Sequence, residues 1–525
     1  MKTKLQLLCK ICLWLSILVG IIARFLYLHI SYEYDELFTA VTSNPDLSLK
    51  WIWNNWLVPD VHPPLHNIFL WAYNHLVPYG PEIWLRLPSV LFGWAGVVMA
   101  WKFFPHRFGR KTLFVFMAFI LTHFYIMFYS QHARPYALLF MLAVPFTFLF
   151  LEMSRRIWKA RKITLIQWLS FGTLSLLLCW THYFGAILYG ISSLFLLGQA
   201  LYFRKNIIAF ILVPSLVFLL FIPWLEPNLM ANLSLNRFEG DWWINEQTSS
   251  FLLNRLFFFF FGTWAGFTCQ VLFVLLFFHS AISLYKQHRK VPFIREILLL
   301  LSLLVTFFGF IGLISLKINL FMGRYFIEIL PCLYILFSLI ITPLLRRSHF
   351  ANILLIIFMG GAIYQTAEDL FYLPNPYAFQ AKWVTLYHKK HFPEKEMFVV
   401  AVDAFPPTSM SALYGFYHNY VFKTGIKVTA LTGLTKEERE KALKRVEDAF
   451  IWMPHCFPQK LDYIREKWNV AVFPHTFFFN KSCFLLMTPP GQQVNPVEWS
   501  KAPFHGIYSL PELENPPAIK AEGFM

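Results

Sequence analysis

The chain has 525 residues, of which 57% are hydrophobic, 19% aromatic and only 14% charged, with a mean hydropathy of +0.51. Soluble globular chains carry about 25% charged residues; this composition excludes a purely soluble protein and indicates a polytopic α-helical membrane protein. The net charge of +16 sits mostly between apolar runs, where membrane orientation accounts for it, and gives no reason to expect nucleic acid.

In chain order, the first apolar run, from about Cys9 to Ile30, follows Lys2, Lys4 and Lys10. It is too long for a signal peptide and reads as a retained helix. Tyr34-Asp35-Glu36 comes just past its end. The run Leu65–Val77 is short and contains His66, Asn67, Asn74 and His75. It reads as a segment lying on the membrane within a first external loop, 31–83, with Trp51, Trp53, Trp56 and Trp71 as interfacial aromatics. Ten more runs can each cross a core of roughly 30 Å, at about 84–104, 111–130, 135–153, 163–181, 183–203, 206–225, 256–283, 294–316, 321–345 and 349–367. The prediction is thus eleven spanning helices.

Alternate loops differ in kind. One set carries Arg107/Arg110/Lys111, Arg155/Arg156/Lys159, Arg204/Lys205, Lys286/Arg289/Lys290 and Arg346/Arg347. These basic loops mark the cytoplasmic side. The other set holds Asp35/Glu36, Gln131–Arg134, Thr181-His182-Tyr183, the 226–255 loop and Lys317-Ile318-Asn319. An odd number of spans places the C-terminal region outside. Residues 369–525 read as a soluble extracytoplasmic α/β domain appended to a transmembrane domain over 1–368. Met397–Val402 and Val470–Phe473 have strand character, and Thr435-Lys436-Glu437-Glu438 resembles a capping box. Cys456 and Cys483 are the only cysteines of that region. An oxidising exterior permits a disulfide between them, which spacing alone does not fix.

Carboxylates beside hydrocarbon are costly, so the Asp35-Glu36 pair is a functional candidate. Neighbouring helical residues point about 100° apart, so one can act as a base or metal ligand while the other caps. Arg86, Arg134 and Arg324 each open a predicted helix on the external side. A guanidinium donates two parallel hydrogen bonds to phosphate, although any one of them also suits a snorkelling anchor. His62, His132, His182, Tyr183 and Tyr325 fall on the same side. Together they favour an anionic lipid head group as ligand.

Tyr34-Asp35-Glu36, His62-Pro63-Pro64-Leu65, Arg86-Leu87-Pro88-Ser89, Ser130–Ala137, Thr181-His182-Tyr183-Phe184 and Gly323-Arg324-Tyr325 occur in this order. The set resembles the bacterial branch of the protein O-mannosyltransferase-like (family 39) membrane glycosyltransferases of the C-type fold, over about 20–345. The resemblance implies a hexosyl- or pentosyltransferase of the bacterial inner membrane, working on a cell-envelope glycan. It would move sugar, with inversion, from a polyprenyl-phosphate donor to a glycan, lipid or protein acceptor. Asp35 would be the general base with Glu36 assisting, and His62, Arg134 and Arg324 would bind the donor phosphate. Arg86, His132, His182, Tyr183 and Tyr325 are secondary candidates. No cofactor is required by this reading, and a divalent metal is its one candidate. Related aminoarabinose transferases use a glutamate just before the basic residue of the proline motif, and Val61 stands there. The rival from another class is a transporter or flippase of an anionic lipid-linked substrate, for which intramembrane charges such as Arg24 and Glu328 are the sequence argument.

Overall fold

The computed structural model describes residues 2–26, 28–234, 278, 282, 293–315, 320, 322–345, 348–372, 381–391, 393–400, 407–431, 434–443, 449–453, 469–476 and 481–488. By its contacts the chain divides into two units. The first comprises 1–28, 42–77 and 85–371, and the second 29–41, 78–84 and 372–525. The short pieces 29–41 and 78–84 group with the C-terminal part instead of with the first unit's helices.

The first unit begins with α1 (Lys2–Ala23). After α2 (Tyr34–Thr42), which belongs to the second unit up to Val41, the first unit resumes with α3 (Leu49–Ile52) and a following π-turn (Trp53–Leu57), then α4 (Leu65–Asn74). Pro63 and Pro64 set the start of α4, where Pro64 is the N-cap. A ten-residue helix is about 15 Å long, half of what a bilayer crossing needs. Trp71 Nε1 donates to Leu47 O (2.9 Å) and Asn74 Nδ2 to Ser43 O (2.8 Å), fastening α4 to the preceding chain. Trp56, expected at the membrane interface, is a core residue at 1% exposure. Its neighbour Trp53 packs on Trp180 and Trp224.

Next come α5 (Glu82–Phe108), α6 (Arg110–Thr122), α7 (Phe124–Tyr129), α8 (Tyr136–Trp158), α9 (Leu165–Thr181), α10 (Tyr183–Phe203) and α11 (Ile207–Ser234). They are followed by α12 (Ile294–Ser315), a 3₁₀ segment (Gly323–Ile329), α13 (Leu330–Leu345) and α14 (His349–Tyr372). Among the described residues, seven helices are long and apolar enough to cross a membrane, and Leu165–Thr181 and His349–Gly361 are shorter apolar helices. The expected span at 256–283 lies almost wholly outside the described residues.

The expected span 111–130 is broken at His123, whose backbone is extended (φ −68°, ψ 125°). The break withdraws the helical donors for the carbonyls of Ile120 and Leu121. Arg24 supplies replacements: Nη2 donates to Ile120 O (3.1 Å), and Nη1 to Leu121 O (2.9 Å) and Gly20 O (2.5 Å). A buried arginine that looks anomalous in sequence is therefore a cap for two helix ends. Gly20 sits directly against Leu121 O, and a Cβ there would lie within 2.7 Å of the Leu121 carbonyl carbon.

At the C-terminal end of α8, Glu152 pairs with Arg107 (3.0 Å), Arg155 (2.9 Å) and Arg156 (3.0 Å), and Arg107 reaches Glu296 on α12 (3.4 Å). These basic residues belong to the clusters assigned to the cytoplasmic side.

The second unit contains α15 (Ala381–His391), α16 (Pro407–Tyr414), a π-turn (Tyr417–Val421) and α17 (Lys436–Leu443). Its strands are β1 (Met397–Val399), β2 (Val428–Ala430), β3 (Ala449–Met453), β4 (Asn469–Thr476) and β5 (Lys481–Thr488). They form one mixed sheet in the order β2-β1-β3-β5-β4; β1 is parallel to β2 and β3, and β5 antiparallel to β3 and β4. Thr435 and Glu438 make the expected reciprocal cap at the start of α17. The Cys456–Cys483 question falls outside the described residues, because Cys456 is not among them.

Candidate active site

In the first unit, several expected site residues meet where α8, α10 and the 3₁₀ segment begin. His182 is the N-cap of α10. Its Nδ1 accepts the Phe184 backbone N–H (3.2 Å), so the ring proton of the neutral form lies on Nε2. Burial, reinforced by electrostatic interaction with His62, Arg134 and Arg324, holds its pKa well below the usual imidazole value. It is thus a neutral donor on which the Arg134 and Arg324 guanidiniums act electrostatically. Its ring stands 5.5 Å from that of His62, 5.3 Å from Tyr325 and 5.7 Å from Tyr136.

Local structure explains how each arrives. Pro135 stops the turn before α8 from continuing as helix and caps that helix, leaving Arg134 at its mouth, 5% exposed. The 3₁₀ segment packs against α7, α8, α10 and α13, carrying Arg324 and Tyr325 with it; the Arg324 guanidinium lies 5.7 Å from the Tyr325 ring. Gly323 is required where the Tyr125 ring presses on the backbone, since a Cβ would fall within 2.6 Å of that ring. Both Arg134 and Arg324 act electrostatically on Tyr136.

His62 faces Asp60, with Nδ1 3.5 Å from Oδ2. The loop that holds them is tied to α11. Asn228 Nδ2 donates to Val58 O (2.9 Å) and Asp60 O (2.5 Å), and Asn232 Nδ2, one turn later, to Asp60 O (3.2 Å). The Tyr183 hydroxyl bonds Asn228 Oδ1, so Tyr183 supports this latch. His66, on α4, is 1% exposed; burial first, and the charge of Arg134 second, push its pKa down to about 3.

Two further secondary candidates have these surroundings. Arg86 is fully buried and donates to Leu28 O (3.3 Å). His132 stacks on Phe128 at 3.9 Å and lies 5.9 Å from Tyr129. Asp60, His66, Asn228 and Asn232 escaped the sequence reading. The available signal was the Asn228/Asn232 spacing of four, which puts two amides on one helical face.

The second unit holds Asp35 and Glu36 in the first turn of α2. Glu36 is fully buried, and its Oε2 accepts the Glu33 backbone N–H (3.0 Å), the return half of a capping box. Asp35 is half-buried, and its carbonyl accepts the Thr39 hydroxyl (3.1 Å). The pair is thus divided as adjacent helical positions require: Glu36 caps while Asp35 leaves in another direction.

For the divalent metal, Val61 brings no ligand beside His62, and Asp60 with His62 makes only a two-residue set. Among the described residues, no three His, Cys, Asp or Glu are grouped to hold a metal ion. These residues do not fit a metal centre. Glu239 and Asp241 of the 226–255 loop lie outside the described residues.

No protein-family model matches the chain, and no curated protein does. Among solved structures, it is similar to ArnT from Cupriavidus metallidurans in the apo state, with 12% identity and a TM-score of 0.52, over 90% of this chain and 97% of that one. The crystal structure of that protein bound to undecaprenyl phosphate gives 12% identity and a TM-score of 0.54 over the same shares. At this identity the likeness speaks for architecture. The chain is a polytopic helical membrane protein with the C-type glycosyltransferase fold.

Proposed function

We propose that the protein is an O-mannosyltransferase-like glycosyltransferase that moves a hexose or pentose from a polyprenyl-phosphate donor to an acceptor on the extracytoplasmic face of a bacterial inner membrane. The observation that carries this is the meeting at His182 of His62 (ring 5.5 Å away) and Tyr325 (5.3 Å), with Arg134 at the start of α8 and Arg324 beside Tyr325 in the 3₁₀ segment. A polyprenyl phosphate leaving group gains charge as the sugar departs, and fixed cationic donors stabilise it there. A solved protein of the same fold binds undecaprenyl phosphate.

In the reaction, Asp35 takes the proton of the acceptor hydroxyl or amine. That acceptor atom forms a bond to the anomeric carbon as the bond from carbon to phosphate oxygen breaks. The anomeric configuration inverts and the polyprenyl phosphate leaves. Glu36 assists by keeping the turn that carries Asp35 closed. The first turn of a helix favours a negative side chain, which suits a carboxylate base.

The test pairs binding with a cellular readout. Purified protein in nanodiscs should bind undecaprenyl phosphate. Mass spectrometry of envelope glycolipids and glycans should show a glycoform that is missing from a deletion strain and restored by the wild-type gene. Asp35→Asn should lose that glycoform while inserting and binding normally, because loss of a general base costs roughly a hundredfold to ten-thousandfold. Full restoration by Asp35→Asn removes the aspartate from its role. Binding without any glycoform difference favours the flippase reading.

A further inference from the structure

A clasp centred on the buried Tyr417 hydroxyl holds the stretch that carries Asp35 to the C-terminal part of the chain. The Tyr417 hydroxyl accepts the Tyr32 backbone N–H (2.7 Å) and donates to Glu82 Oε1 (2.9 Å). Lys382 Nζ meets the same oxygen at 2.8 Å, and its backbone N–H donates to Ser31 Oγ (3.3 Å). Tyr32 and Tyr417 are both fully buried. The Tyr32 ring lies 5.7 Å from Phe416 and 5.8 Å from Tyr417, and its hydroxyl donates to Gly80 O (3.0 Å).

These bonds are directional. A phenol has one proton, which goes to Glu82, so the lone pair is left for Tyr32. Charge on Glu82, balanced by Lys382, strengthens the first bond. Tyr32 is only three residues before Asp35, and the chain between them is not slack. Glu33 N–H is bound by Glu36 and Leu37 N–H bonds Glu33 O (2.8 Å), so residues 33–37 move as one turn. A shift at Tyr32 is therefore a shift at Asp35. A tyrosine that merely filled the core would need its ring, not a hydroxyl bridging a backbone amide and a carboxylate.

We infer that the C-terminal unit sets the position of the Asp35 helix, with Tyr417 as the positioning residue and Glu82 and Lys382 orienting its hydroxyl. This rests on the reading of Asp35 as general base. The C-terminal domain is then part of the transfer machinery, and severing its hold lowers turnover without altering donor-phosphate affinity.

The experiment uses the full chain in nanodiscs. Tyr417→Phe keeps the ring and removes the hydroxyl; Lys382→Met removes the charge behind Glu82 and serves if the first variant fails to fold. Three quantities are measured: amide hydrogen exchange over residues 31–37, affinity for undecaprenyl phosphate, and the glycoform restored in the deletion strain. Exchange should quicken in that peptide, affinity should stay within about twofold, and the glycoform should fall by about tenfold to a hundredfold, the scale of misplacing a reacting group by about an ångström. Unchanged exchange overturns the inference. Quicker exchange with full glycoform restoration also overturns it, as does an equal loss of phosphate affinity, which marks a general structural role. Wild-type restoration by Asp35→Asn would instead overturn the base assignment and leave the exchange result standing.

Discussion

At its C-terminal end α8 meets a network in which Glu152 binds Arg107, Arg155 and Arg156, and Glu296 joins from α12. At its N-terminal end, about 35 Å away at 1.5 Å per residue, Arg134, Arg324 and His62 act electrostatically on His182. The first cluster brings its own carboxylates; Arg107 ties the end of α5 to α8 and α12, while Arg155 and Arg156 pair with Glu152 within α8. The second is built around an imidazole that burial keeps neutral. An anion arriving there meets positive charge and an Nε2–H donor. One end therefore serves the fold, and the other is where we propose that the donor phosphate binds.

The largest effect that separates the ends is on lipid-phosphate binding. Arg134→Ala or Arg324→Ala should each weaken undecaprenyl phosphate by about tenfold to a hundredfold, the scale of a charged hydrogen bond at about 1.5–3 kcal/mol. Arg107→Ala should leave that affinity unchanged. Equal losses at both ends, measured by titration in nanodiscs, would erase the distinction. Lysine at 134 or 324 should restore only part of the affinity, because it keeps the charge and loses the fork.

Acid should act on the N-terminal end of α8 through His66. Its folded pKa is pushed down to about 3, whereas an unfolded imidazole titrates near 6.5. Between these values the unfolded chain takes a proton that the folded one refuses. The stabilisation is complete above about pH 6.5 and declines as pH falls toward 3. At pH 5 the loss is about 2 kcal/mol, read as a lower melting temperature. His66→Asn should flatten that decline; an unchanged pH profile would contradict the burial argument.

Much of this contrast was legible in the sequence. Basic loops alternated with polar turns, and those turns supplied His62, Arg134, His182 and Arg324. Of the eleven expected spans, seven coincide with helices long and apolar enough to cross a membrane and two with shorter apolar helices, one is broken at His123, and one falls almost wholly outside the described residues. What periodicity could not carry was the break at His123, because an interrupted helix keeps its hydropathy. Arg24 then looked like an intramembrane charge rather than a cap for the broken end. The clasp was hidden for another reason. Tyr32, Glu82, Lys382 and Tyr417 are separated by up to 385 residues, and nothing local marks their meeting. Asn228 and Asn232 were similarly silent, although their spacing of four places them together.

That asparagine pair gives the next prediction. Asn228→Ala deletes the bonds to Val58 and Asp60 and leaves the Tyr183 hydroxyl to find water. The part-buried Val58 carbonyl loses this donor and the Asp60 carbonyl is left with Asn232, so the cost should be about 1 kcal/mol of stability. Affinity for undecaprenyl phosphate should fall only several-fold, because His62 remains but its loop is loosened. If His62→Ala and Asn228→Ala weaken binding independently, in a double-mutant cycle, the latch does not act through His62.

The smallest effect is expected from the C-terminal end of α8, and it sharpens the comparison most cleanly. Glu152 and its partners are partly exposed, with Arg155 at 40% and Glu152 at 23%. Solvent screens such pairs, and each contributes below about 1 kcal/mol. Glu152→Gln removes the common anion of three arginines, so repulsion among them adds to the lost attraction. The melting temperature should drop by a few degrees at low salt, and the drop should shrink as salt screens the arginines. Undecaprenyl phosphate affinity and the envelope glycoform should both stay at wild-type levels. A change in either would mean that the two ends of α8 are coupled, and that the network holding the helix ends also tunes the cations around His182.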